Sequence, residues 1–154
     1  MKVLLILAIV LLAGCAPRPP DDRVVMSYFR AHEAELNALV DLGQKHAALL
    51  RAEPALSRFA NFYSPPTADD LKAQEQAYRI LKAIDADYVA WWRNEDGGLF
   101  EVTIPVYRYG LSLGGYSKGL EYVVDFKNPP AKSDRRSFTQ IGNSPWFIES
   151  SDTR

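Results

Sequence analysis

Few residue combinations in this 154-residue chain have the types and spacing that chemistry requires. Gly110-Leu111-Ser112-Leu113-Gly114 matches the G-x-S-x-G spacing of a nucleophile elbow. That device needs a strand-to-helix turn beneath the serine, with an acid and a histidine later in the chain. Here more glycines and strand-like residues come next, and both histidines, His32 and His46, lie upstream. Glycines 110, 114 and 115 therefore read as turn or bulge positions. His32 opens His-Glu-Ala-Glu-Leu36, but a zinc-protease helix would need histidine where Leu36 stands. On one continuous helix, His32 and His46 are about 21 Å apart along the axis, too far to share an ion. Ser117-Lys118 are neighbours that a strand points to opposite faces, so the pair reads as a turn and not as a serine–lysine dyad. The glycines around Tyr116 lack the spacing of a phosphate loop. Carboxylates are plentiful, among them Glu33, Glu35, Asp85, Asp87, Glu95, Asp96, Glu101 and Glu121. A solvated face is the default for each, and acid–base hydrolysis would need two of them a few ångströms apart. No catalytic residue, metal ligand or cofactor site is assigned.

The remaining reactive group is Cys15, the one cysteine of the chain. It follows Met1-Lys2, an unbroken apolar run over residues 3–13, and Gly14. As a helix that run spans roughly 16 Å, about half a bilayer core. It fits a secretory h-region and is too short for a membrane-spanning anchor. Leu12-Ala13-Gly14-Cys15 resembles the lipobox of bacterial lipoproteins: an aliphatic residue, two small ones, then cysteine. The resemblance implies cleavage between Gly14 and Cys15, a diacylglycerol on the thiol and acylation of the new amino group. An ordinary cut after Ala16 would place Pro17 directly after the scissile bond, which is unfavourable. Two or three acyl chains hold a protein stably on a membrane, where one holds it marginally. Acylation also removes the sole thiol from disulfide or zinc chemistry. Ala16 is not the aspartate that resembles an inner-membrane retention signal, so the expected address is the outer membrane, periplasmic side.

Residues 15–22 read as a proline-rich tether, and residues 23–154 as one domain. Of the 18 Lys and Arg against 19 Asp and Glu, only Lys2 falls in the signal segment. A near-neutral chain offers no basic face to a nucleic acid. Aromatics at 12% and charged residues at 24% fit a globular domain and not a disordered one.

The elements follow from periodicity. Val25, Phe29, His32, Leu36, Leu39, Gly43, Ala47 and Leu50 recur at helical spacing over 23–51, with a break allowed at Gly43. Prolines punctuate a connection over 53–66, with a short turn around residues 58–63. Thr67 and Asp70 form a helix-start pair before a stripe of Leu71, Ala77, Tyr78, Leu81 and Ile84. From Tyr88 the period becomes two. A strand over 88–93 leads to an Asn-Glu-Asp-Gly-Gly turn, and Phe100, Val102, Ile104 and Val106 then give a core face. Pro105 marks that strand as edge-like or bulged. Further strands are expected over 111–116, 119–126, 137–141 and 146–149. The fold expected is α+β: two or three N-terminal helices on an antiparallel meander of four to six strands. Tyr107 and Tyr109 fall opposite the core face in this pattern, where an exposed aromatic pair would mark a partner surface.

The mature chain is also similar to small, uncharacterised proteobacterial lipoproteins. The similarity rests on residues 28–39, on 110–119 with Tyr122, on Pro129-Pro130 and on Trp146-Phe147. It implies an envelope lipoprotein and carries over no catalytic residue. The expected function is a non-catalytic, lipid-anchored module that binds, inhibits or helps assemble an envelope protein; an immunity-type inhibitor of a periplasmic toxin is one concrete form. The alternative is an envelope hydrolase that acts on peptidoglycan or lipid through carboxylates. A structural lipoprotein without a discrete ligand is a third possibility.

Overall fold

The computed structural model describes residues 19–53, 62–111, 114–128 and 132–152. Gly14, Cys15, Ser112 and Pro129-Pro130, and most of the proposed turn at 58–63, lie outside the described residues. The described chain is α+β, with two helices and a six-stranded antiparallel sheet. The order along the chain is α1 (Asp22–Lys45), β1 (Arg51–Ala52), α2 (Ala68–Ala83), β2 (Val89–Arg93), β3 (Leu99–Leu111), β4 (Gly114–Val123), β5 (Arg136–Gln140) and β6 (Trp146–Asp152).

Helix α1 starts where Asp21 caps it, its carboxylate accepting from the Arg23 amide at 2.9 Å. The expected apolar stripe is buried at Val25, Phe29, Leu36, Leu39 and Gly43. Gly43 is not a break. The helix runs on to Lys45 and kinks instead at His32, where φ is −128° and ψ is 19°. Its last carbonyls are closed by Arg93, which donates to Gly43 O at 2.6 Å and to His46 O at 3.0 Å. Helix α2 starts with a full capping box. Thr67 Oγ1 accepts from the Asp70 amide, and Asp70 accepts from the Thr67 amide at 2.8 Å. Its buried stripe is Ala73, Gln74, Ala77 and Leu81, while Leu71, expected in the stripe, is exposed.

The sheet is not a simple meander. Its order is β1-β2-β3-β4-β6-β5, so β6 inserts beside β4 and leaves β5 at the edge. Strand β1 begins at Arg51, the last residue that the periodicity assigns to the first helix; it pairs with β2, placing Arg51 opposite Ala90. Ser117-Lys118 lie inside β4 and not in a turn.

Two bulges decide which way side chains point. The register of β2 and β3 shifts between Trp92 and Arg93, which leaves Phe100 without a partner on β2 and 39% exposed, where alternation alone puts it in the core. Leu99 packs on the core in its place. The register of β3 and β4 shifts between Pro105 and Tyr107. Gly119 faces that bulge, and a Cβ there would sit 2.6 Å from the Ile104 carbonyl oxygen.

One core binds both helices to one sheet face through Trp91, Val102, Ile104, Leu120, Trp146 and Ile148. Trp91 is its seat. The ring is fully buried, and its Nε1 donates to Leu39 O of α1 at 2.9 Å. A Cβ on Gly43 would overlap the Trp91 ring. Trp146 fixes the middle of the same helix, donating to Asn37 Oδ1 at 3.0 Å and packing 5.7 Å from the Phe29 ring.

Gly43→Ala should therefore cost about 1–3 kcal/mol by overpacking, despite the better helix propensity of alanine. Urea denaturation checks this. A gain in stability would show that Trp91 is not seated on α1.

Candidate functional site

Because α1 and α2 pack on one face, the residues alternating with the core project from the other. In cross-strand register these are Trp92 and Glu101, Thr103 and Glu121, Glu121 and Phe147, and Phe138 and Glu149. Three neighbouring strands thus place three glutamates close together on one face. Like charges so placed repel, and the fold answers with one cation. Arg136, on edge strand β5, reaches across β6. Its Nε donates to Glu149 Oε1 at 3.0 Å, its Nη2 donates to Glu121 Oε2 at 3.0 Å, and Glu101 Oε1 stands 3.9 Å away. The side chain stays 41% exposed, with its guanidinium carbon 5.0 Å from the centre of the Phe138 ring. Glu101 Oε1 also takes the Thr103 hydroxyl at 3.3 Å, and Thr103 in turn accepts from Trp92 Nε1 at 3.0 Å.

Glu121 is the centre of the cluster and has no solvent exposure. Burial, then the nearby Glu101 charge, push its carboxyl up to about 8, with Glu149 adding to the rise and Arg136 opposing it. Its buried Oε1 meets no N–H or hydroxyl donor, and Glu101 lies within hydrogen-bonding reach of the protonated carboxyl. The group sets one guanidinium among three carboxyl groups, and burial favours the neutral form of Glu121. Such a set holds a proton and a fixed positive charge close to the surface. It does not present Glu121 to a dissolved substrate, because that side chain is fully covered.

Beside the cluster lies apolar surface. Trp92 is 44% exposed there, across from Glu101. The Val124 amide donates to Phe100 O at 3.1 Å, which joins the two at one end of the sheet. Val123, Phe138 and Phe147 form a small second core under this face.

The other candidates fall elsewhere. Tyr107 pairs with Lys118 and Tyr109 with Tyr116. Lys118 shares its face with Leu120, ion-pairs with Asp22 and donates to Pro20 O at 2.9 Å. The bulge at Pro105 therefore turns Tyr107 and Tyr109 to the helix side of the sheet, not to the side opposite the core. Tyr109 is 46% exposed there, while the Tyr107 hydroxyl is buried. His46 meets Asp70 at 3.0 Å and His32 lies against the Tyr28 ring, so the histidines serve separate places. The Asp70 carboxyl is held below its ordinary range chiefly by the Thr67 hydrogen bonds, with His46 adding to them. Asp85 and Asp87 line a shallow depression of about 510 Å³ with Tyr78, Arg79 and Lys82. The elbow pattern lacks its helix, since β3 ends at Leu111 and β4 begins at Gly114. Among the described residues, no group of three His, Cys, Asp or Glu side chains is placed to hold a metal ion.

Of the eight carboxylates singled out in the sequence, Glu101 and Glu121 meet. Arg136 and Glu149 were not foreseen. Their signal is one glutamate on the face away from the core in each of three strands, a set of like charges that calls for a cation nearby.

Comparison with known proteins gave no matching family model, no matching curated protein and no matching solved structure. The residues themselves carry the functional argument.

The linkage of Glu121 has a definite sign. The folded carboxyl titrates near 8 and the unfolded one near 4.5. Its contribution to stability is complete below the unfolded value and is lost as pH rises toward 8. Thermal melts should show a stability decline between about pH 5 and pH 8. Glu121→Gln, which keeps an uncharged group there, should flatten that decline. The same slope in both proteins would show that Glu121 is ionised throughout.

Proposed function

We propose that this protein is a lipid-anchored module of the cell envelope, facing the periplasm, and that it binds, inhibits or helps assemble a protein partner without catalysing a reaction. The observation that supports binding is the sheet face left bare by both helices. Trp92 stands exposed on it, beside the Glu101, Glu121, Glu149 and Arg136 cluster. An aromatic anchor beside fixed charge is the usual make-up of an interface hot spot. Carboxyls outnumber the guanidinium, so the matching surface is apolar and ringed by basic side chains. An immunity-type inhibitor would use such a face.

The anchor in this proposal is Cys15, exposed by cleavage after Gly14 and acylated, with the outer membrane as its address. No described helix is long and apolar enough to cross a membrane. A Cys15→Ser chain should leave the membrane fraction or accumulate as an uncleaved precursor. Normal processing with unchanged membrane attachment would contradict lipidation.

A photo-crosslinking residue in place of Trp92 should give a discrete adduct in intact envelopes, and one in place of Leu71, exposed on α2, should give none. Identical patterns at the two positions would overturn the assignment of the face.

Glu101 and Glu121 come together, as a carboxylate hydrolase of peptidoglycan or lipid requires, but the full burial of Glu121 keeps it from a substrate and counts against this second reading. Release of peptidoglycan fragments or fatty acids by the purified protein, abolished by Glu101→Gln, would replace the binding reading.

A further inference from the structure

Strands β3 and β4 outrun the helix that covers them. Helix α1 begins beside Lys118, which ion-pairs with Asp22 and binds the Pro20 carbonyl. From there α1 runs toward the opposite end of the sheet, meeting Trp146 at Phe29 and Trp91 at Leu39. Trp146 pairs with Tyr122, far along β4 from Gly114. The paired strands instead continue the other way, from Tyr107 and Lys118 to Leu111 and Gly114. At about 3.4 Å per residue this arm extends roughly 13 Å past the point where Lys118 holds the chain. Its helix-side face there carries Tyr109 and Tyr116 as a cross-strand pair. Tyr109 is 46% exposed.

The chain before Pro20 limits where this arm can be. Pro20 lies five residue steps beyond Cys15. Fully extended, they span at most about 17 Å. If Cys15 carries lipid, the Lys118 end of the sheet is held within that distance of the bilayer surface, and the arm starts at that end. An arm of roughly 13 Å on a leash of roughly 17 Å reaches the headgroup layer, itself about 5–7 Å deep on each side. Tyrosine suits that layer, with an apolar ring and a hydroxyl that stays wet.

We propose that the β3–β4 arm rests on the membrane that holds the anchor, with Tyr109 and Tyr116 in the lipid headgroup layer. This rests on lipidation of Cys15. It gives the domain an orientation: the arm lies against the bilayer, and the turn at residues 94–98, at the other end of β3, points away from it.

The test uses the mature lipidated chain in phosphatidylethanolamine–phosphatidylglycerol vesicles. With Cys15 acylated, an introduced thiol is the only free one, because the chain has a single cysteine. Tyr109→Cys and Glu95→Cys are labelled with an environment-sensitive fluorophore, and brominated lipid serves as the quencher. Both proteins should float with the vesicles, and the label at 109 should be quenched several-fold more than the label at 95. If Tyr109→Cys lowers stability, Arg108→Cys, also exposed, reports from the same level of the arm and should be quenched alike. Equal quenching at both ends of β3 with normal flotation would overturn the arm contact and leave the anchor standing. A label at 109 that is shielded from water yet not quenched by brominated lipid would show protein covering the arm, and would overturn the proposal. Failure to float would overturn the anchor and the proposal with it.

Discussion

The seating of Trp91 on Gly43 is the contact on which the rest of the domain depends. A buried indole against a helix with no side chain at that position brings α1 close to the sheet, and the Nε1 bond to Leu39 O fixes its rotation. Arg93, two residues along the same strand, then closes the carbonyls at the helix end. His46 and Asp70 join that end to the start of α2. One strand thus places both helices on the same side. The other face carries a second small apolar cluster, on which Phe126 packs, and a charged group centred on Glu121.

That charged group is a compromise. A fully buried carboxylate beside two others would be prohibitive to fold around. Arg136 offsets part of the cost, and a retained proton offsets more. The arrangement ties edge strand β5 across β6 to β4, so the register of the late strands and the charge state of Glu121 are linked. Exposed Trp92 beside this clamp adds an apolar contact that a partner can use, while the clamp supplies charge of fixed position.

Much of the fold was legible in the sequence because its signals were local. The apolar stripe of α1, the Thr67–Asp70 start of α2, the turn at residues 94–98 and the switch to a period of two each depend on neighbours a few residues away. The strand order was not legible. Nothing local tells β6 to insert between β4 and β5, because that choice is made by the side chains of Trp146, Ile148 and Glu149 against other strands. Alternation alone misdirects Tyr107 and Tyr109 for one reason: a bulge adds one residue, and one residue reverses every side chain beyond it. Pro105 announced the second bulge without giving its register. The charged cluster was half legible, since Glu101 and Glu121 were visible as acids on strands but Arg136 reaches them only across two strands of the folded sheet.

The central claim is that the sheet face opposite the helices is covered by a protein partner in the envelope. Hydroxyl-radical footprinting of side chains tests it directly, comparing intact cells with the purified protein in vesicles. The account predicts that Trp92 is oxidised readily in vesicles and is protected in cells, while Tyr63 and Leu71, exposed elsewhere, are oxidised equally in both. Equal oxidation of Trp92 in the two settings would contradict it.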